Sequence, residues 1–210
     1  MPDPQELYDA ILTGNAPKAE EVTKAAIEAG DDPNELVQKY MIPAMDEAGR
    51  RFECNEYFVP ELLIAARAMK TSLELLTPHL VEAGVEPKGR VIIGTVQGDL
   101  HDIGKNLVAS MLEGGGFKVV DLGVDVPPEK FVEAVQEGDE TIVALSALLT
   151  TTMTMMKTVV EALEQAGIRG KTKVIIGGAP ITQSYADEIG ADGYSDNASA
   201  AVALARKLVE

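Results

Sequence analysis

Two histidines occur in the 210-residue chain, and one of them, His101, lies in QGDLHDIG (residues 97–104), with Asp99 two places before it and Gly104 three after. An imidazole beside a carboxylate can act as a general base, a proton relay or an oriented metal ligand. A metal held by side chains alone typically needs three or four donors. Here the remaining histidine, His79, and the single cysteine, Cys54, are distant in sequence, so His and Cys cannot assemble such a set. A metal carried in a macrocycle brings its own equatorial nitrogens and asks the protein only for an axial ligand. One histidine is then enough. Asp99 would accept the other ring N–H, fix the tautomer and raise the basicity of the ligand.

Two more stretches hold small or hydrogen-bonding residues, Ser146-Ala147-Leu148 and the pair Gly177-Gly178. Singly, each has an ordinary explanation. A lone histidine can be a plain surface residue, a glycine pair can be a turn into a helix, and Ser146 can satisfy a neighbouring amide. The Met-rich TTMTMM (151–156) reads as helix core rather than a cofactor box. The loop carries neither a Lys-Ser/Thr phosphate cradle nor a GxGxxG run, which argues against nucleotide binding by those devices.

The elements that must position these residues follow from the alternation of short apolar runs with helical patterns after residue 90. RVIIGTV precedes a helix over about 103–113, FKVVDLG one opening at PPEKFVEAV, and TIVALSALL one beginning in TTMTMMKTVVEALEQAG. TKVIIGG then precedes PITQSYADEIG, and a weak DGYS precedes NASAAVALARKLV. Five strands alternating with five helices predict a doubly wound parallel sheet of the Rossmann type, in the flavodoxin-like order 2-1-3-4-5. In that order the topology reverses between strands 1 and 3, so a ligand belongs beyond their carboxyl ends, where the three stretches converge.

Residues 1–84 carry a different pattern. PQELYDAILTG and APKAEEVTKAAIEAG end at Gly14 and Gly30, while Asp32-Pro33 opens a helix in which Pro43 predicts a kink or break. VPELLIAARAMKTSLELLTPHLVEAG places Leu62, Leu63, Ala66, Met69, Leu73 and Leu76 at helical spacing. A small helical bundle (1–84) followed, after the linker GVEPKGR, by an α/β domain (90–210) is expected, with His79 near the end of the last bundle helix and without chemical role. The net charge of −16 argues against a nucleic-acid partner. MPDPQELYDA resembles no signal peptide, and the longest apolar stretch is too short and Thr-rich for a membrane span, so a cytoplasmic location is expected.

DLHDIG, then 41 residues to SAL, then 28 residues to GG, resembles the DxHxxG…SxL…GG signature of domains that bind cobalamin with its own base displaced and a histidine on cobalt. The helical half, including PELLIAARAMK, resembles the cap of methyl-transferring members. The resemblance covers nearly the whole chain. It points to the corrinoid proteins of methanol, methylamine and methoxyaromatic (O-demethylase) methyltransferase systems and, more distantly, to the B12-binding region of methionine synthase.

This resemblance implies His101 as the lower axial ligand of cobalt, with Asp99 hydrogen-bonded to it and Thr152 completing the relay, where methionine synthase has a serine. It implies that Gly98, Asp102, Ile103 and Gly104 belong to the cofactor loop, that Ser146, Leu148 and Thr150 line the displaced tail, that Gly177 and Gly178 leave it room, and that Tyr194 and Ser195 border it. It further implies a methyl carrier cycling between cob(I)alamin and methylcobalamin, Co(I) and methyl-Co(III), with a substrate-specific methyltransferase, an acceptor methyltransferase acting on tetrahydrofolate or a thiol, and a reductive activator as partners. Such a subunit would not be catalytic alone. A B12-dependent light sensor remains the alternative, although no DNA-binding helix-turn-helix or basic face is apparent. A radical-mutase subunit would ordinarily lack the helical cap, and a receiver-like domain would need an Asp where the third strand ends in Ser146.

Overall fold

The computed structural model describes residues 3–136 and 141–209. By its internal contacts the chain divides into two compact units, Met1–Pro87 with Glu113–Gly116, and Lys88–Leu112 with Phe117–Glu210.

The first unit is helical: α1 Pro4–Leu12, α2 Ala16–Ala29, α3 Pro33–Leu36, α4 Ile42–Glu53 and α5 Val59–Glu82. Local chemistry sets the helix ends. Asp3, Asn15 and Asp32 each cap an N-terminus through a side-chain oxygen, and a proline follows each in the first turn. Pro43 does not break the third helical stretch. A π-helical segment, Val37–Met41, joins α3 to α4, and the Ile42 N–H bonds to the Val37 carbonyl five residues back. The wider turn accommodates the proline without ending the helix. On α5, Leu62, Ala66, Met69 and Leu76 are buried as the spacing predicts, Leu73 is half-buried, and Leu63 is exposed. The buried stripe instead takes in Ala65, Ala68 and Ser72, small residues that suit close helix packing. His79 is exposed in the last turn of α5.

The second unit alternates β1 Arg90–Thr95, α6 Ile103–Gly114, β2 Lys118–Asp121, α7 Pro128–Gln136, β3 Thr141–Ser146, α8 Thr154–Gln165, β4 Thr172–Gly177, α9 Gln183–Ile189, β5 Gly193–Tyr194 and α10 Ala198–Val209. The five strands form one parallel sheet in the order β2-β1-β3-β4-β5, as the alternation predicts. Ile92, Val143, Leu145, Val174 and Ile176 pack with Phe131, Val159, Val160 and Leu163 of α7 and α8 into one buried cluster. Strands covered on both faces read as unbroken apolar runs, as β1, β3 and β4 do. The edge strand β2 is only half-buried. Among the described residues no helix is long and apolar enough to cross a membrane.

One boundary departs from expectation. The helix after β3 begins at Thr154, not at the start of TTMTMM. Residues 149–153 form a turn in which the Leu149 carbonyl accepts from the N–H groups of Thr152 and Met153, at 3.1 and 3.0 Å. Met156 enters the core, whereas Met153 and Met155 are partly buried against it.

Candidate cofactor site

The paired register of β1 and β3 brings Thr95 alongside Ser146, so the chain leaves both strands at the same height on either side of the topological reversal. From β1 it turns through Gly98, whose φ of +84° favours glycine. The turn delivers the Asp99 carboxylate to a fully buried position. There Oδ1 accepts from the His101 N–H (3.1 Å) and pairs with His101 Nδ1 (2.7 Å), while Oδ2 accepts from the Leu148 N–H (2.8 Å) and the Thr152 hydroxyl (2.6 Å). Burial by itself would push this carboxyl up. The hydrogen bonds from Thr152, Leu148 and His101 outweigh burial and hold it well below the usual carboxylate range.

An ionised carboxylate can only accept. The proton between Asp99 and His101 therefore sits on Nδ1, which leaves Nε2 as the ring nitrogen not engaged by Asp99. The His101 side chain is 51% exposed. Its carbonyl is tied back by the buried Thr95 hydroxyl at 2.8 Å. Around it stand apolar side chains that a solvated loop would not select: Leu100 is 70% exposed, Ile103 78% and Leu148 43%.

These observations fit a flat, largely apolar metallated macrocycle. The protein presents one imidazole nitrogen with its second nitrogen locked, flanked by exposed aliphatic groups. Among the described residues no cluster of three His, Cys, Asp or Glu could hold a metal by side chains alone. At Gly104, in the exposed first turn of α6, an added Cβ would meet no atom within 4 Å, so open space lies beside the histidine loop. Asp102, just before α6, accepts from the Asn106 N–H through its carbonyl at 2.7 Å.

The other candidates form a second group. Ser146 is half-buried at the end of β3, its carbonyl accepting from the Val96 N–H at 3.0 Å. A Cβ on Gly178 would lie 1.9 Å from the Ala147 carbonyl oxygen, and one on Gly177 would lie 3.2 Å from that of Ser195. The glycine pair thus draws the ends of β3, β4 and β5 together. Tyr194 and Ser195 are half-buried on β5 and just beyond it, the Ser195 N–H bonding to the Ile176 carbonyl at 3.2 Å. Thr150 is exposed in the turn and takes no part in the Asp99 hydrogen bonds.

Three participants escape the sequence reading. The Leu148 amide donates to Asp99 from the backbone, which no residue type announces. Thr95 passes for an ordinary strand residue. Asp125, in the segment GVDVP, accepts from the Gly98 N–H through Oδ1 at 2.7 Å. Its signal was an acidic residue between a glycine and a Val-Pro, at the end of the strand neighbouring β1.

Family models named B12 binding domain match residues 89–203 and residues 5–77. The chain is 46% identical to trimethylamine corrinoid protein 1 of Methanosarcina acetivorans over 203 residues, which is 96% of this chain and 94% of that one. It superposes with a TM-score of 0.81 and 34% identity on a cobalamin-binding protein from Desulfitobacterium hafniense, covering 99% of both chains. Against the methanol:cobalamin methyltransferase complex MtaBC from Methanosarcina barkeri the TM-score is 0.85 at 32% identity, over 97% of this chain and 78% of that one. This chain belongs to the B12-binding family, and its cofactor is cobalamin.

Proposed function

We propose that this protein is a methyl carrier that presents cobalamin to separate methyltransferases, with His101 as the lower axial ligand. The observation that carries the reading is a half-exposed imidazole whose Nδ1–H is held by a buried, ionised carboxylate, leaving Nε2 as the ring nitrogen for a metal. Bound cobalamin would supply a cobalt centre able to take a methyl group as a cation from an activated donor and release it to a nucleophile. The chain's own part is to bind, orient and tune. Asp99 fixes the tautomer and pushes electron density toward Nε2, strengthening it as a ligand. Thr152 and the Leu148 amide keep Asp99 ionised. Leu100, Ile103 and Leu148 would give the bound corrin exposed aliphatic surface to cover beside the imidazole.

In this reading residues 90–210 hold the cofactor and residues 1–84 act as its cap, while Ser146, Thr150, Gly177, Gly178, Tyr194 and Ser195 line the displaced tail. Similarity to a trimethylamine corrinoid protein over nearly the full length of both chains supports a methylated amine as the donor. Likeness to the methanol:cobalamin methyltransferase complex supports docking to a substrate-specific methyltransferase. An acceptor methyltransferase and a reductive activator complete the set of partners.

The test is electron spin resonance of the Co(II) cobalamin form in unlabelled and 15N-labelled protein. A nitrogen splitting that changes with the label, and vanishes in His101→Ala, is expected. A splitting indifferent to the label would come from the cofactor's own base and would overturn the assignment.

A further inference from the structure

The loop after β2 does more than connect it to α7. Its Gly123 carbonyl accepts from the Thr95 N–H, and its Val126 N–H donates to the Thr95 carbonyl, both at 3.0 Å. The parallel ladder between β1 and β2 thereby extends past the named strands, as the Val96–Val126 bridge also records. Between these bonds stands Asp125. Its backbone is left-handed, with φ of 53°, a conformation that Asp and Asn tolerate better than most side chains. From there it makes two bonds of opposite sense to a single dipeptide. Oδ1 accepts from the Gly98 N–H at 2.7 Å, and its own N–H donates to the Asp99 carbonyl at 2.9 Å.

We propose that Asp125 is a positioning residue that locks the histidine-bearing loop in its coordinating shape, acting through Gly98 and Asp99. The inference rests on His101 being the axial ligand. Clamping the Gly98–Asp99 unit at both ends fixes the Cα of Asp99, and with it the direction in which the buried carboxylate leaves the chain. Four hydrogen bonds, between 2.6 and 3.1 Å, depend on that direction. Gly98 gives way most readily if released, since a glycine at φ of +84° has other conformations open to it. Asp125 supplies the restraint that glycine cannot. Its side chain is exposed and outside the core, so its removal should disturb the loop far more than the fold.

Two variants separate the acceptor from the backbone. Asp125→Gly keeps the left-handed turn and the N–H donor but deletes the Gly98 contact. Asp125→Asn retains a carbonyl acceptor and tolerance of the same φ. Three readouts are compared with wild type: cobalamin loss from loaded protein into an excess of a competing apoprotein, protein-derived nitrogen splitting in the Co(II) spectrum of 15N-labelled samples, and urea unfolding of the apoprotein. Asp125→Gly should lose cobalamin about tenfold faster, the size of one lost hydrogen bond of ordinary strength. Its protein nitrogen signal should weaken while the unfolding midpoint stays near wild type, and Asp125→Asn should restore both cofactor readouts. Unchanged retention and spectrum in Asp125→Gly would overturn the inference, as would failure of Asp125→Asn to rescue. So would a loss of apoprotein stability large enough to account for the faster release. A wild type without protein nitrogen splitting would instead sink the ligand assignment, and the inference with it.

Discussion

Among the described residues, each unit of the molecule holds one carboxylate well below its ordinary range, by opposite means. Glu47, on α4 of the helical unit, is lowered to about 2 by hydrogen bonds and ion pairs with the guanidinium groups of Arg50 and Arg51. Asp99, in the sheet unit, is fully buried, and its donors are a hydroxyl, two backbone amides and an imidazole N–H. Among the described residues no Lys or Arg pairs with it. The charge of Glu47 is matched by its neighbours and ends there. The charge of Asp99 is stabilised by dipoles yet not neutralised, so its field remains available to the imidazole. A carboxylate near the surface can be held down by counter-ions, whereas a buried one can stay ionised on neutral donors alone.

The largest break in this comparison is Asp99→Asn. The amide has the right shape, but one of its two arms becomes a donor and faces donors, either Thr152 and Leu148 or the two N–H groups of His101. Although the substitution removes a buried charge, the lowered carboxyl shows that the hydrogen bonds outweigh that desolvation. Urea unfolding of the apoprotein should show a loss of about 3 kcal/mol. The sign with pH follows from linkage. A carboxyl lowered by folding contributes fully above its unfolded value and loses that contribution as pH falls toward the folded one, so the gap between wild type and Asp99→Asn should close in acid.

Thr152 isolates one of the neutral donors. Thr152→Val keeps the shape and removes a hydroxyl that meets the carboxylate at 2.6 Å, which should cost about 2 kcal/mol for a hydrogen bond to a charged acceptor. Thr152→Ser should stay within about 0.5 kcal/mol of wild type, because the hydroxyl carries the interaction. A serine variant as weak as the valine one would make the methyl group the essential part.

Why the Asp99–His101 pair was legible while its support was not comes down to where the donors lie. The alternation of apolar runs and helical patterns pointed to the strand order, His101 and Asp99 stood out by residue type and spacing, and Thr152 came only from the family resemblance. The Leu148 amide and the Thr95 hydroxyl matter only because parallel pairing sets Thr95 against Ser146, a register that appears once the sheet is assembled. Asp125 depends on a backbone conformation at φ of 53° that no pattern of polarity encodes. In the helical unit, Pro43 signalled a break because a proline ordinarily costs an i→i−4 bond. The π-helical segment supplies an i→i−5 bond one residue earlier, and tertiary packing then keeps the helix continuous. The same packing buries Ser72 and leaves Leu63 outside.

Glu47→Gln sharpens the contrast at smaller amplitude. Its side chain and those of Arg50 and Arg51 are partly exposed, so the destabilisation should fall below that of either sheet variant. It should also shrink toward nothing in molar salt, where charges are screened within about 3 Å. Its pH dependence has the same sign as that of Asp99, with the contribution lost between the ordinary 4.5 and about 2. Salt is therefore the discriminating variable. Equal salt sensitivity of Glu47→Gln and Asp99→Asn would mean that neutral donors and counter-ions are not distinct strategies here.

The smallest effect is expected to be a gain. Ser72, on α5, is fully buried, and among the described residues its hydroxyl has no hydrogen-bond partner. Thr71 and Thr77 on the same helix each bond to the carbonyl four residues back, so the helix offers such acceptors, and Ser72 takes none. A hydroxyl desolvated without compensation opposes folding, and alanine, one oxygen smaller, is also the better helix former. Ser72→Ala should raise the urea midpoint of the apoprotein, reflecting a stabilisation of about 0.5–1 kcal/mol after allowance for the small void left behind. The increase should be unaffected by salt and by pH from neutral into mild acid. A loss instead of a gain would show that Ser72 contributes packing or a polar contact whose value exceeds its desolvation. Burial of a polar group would then be compensated in the helical unit as fully as it is around Asp99.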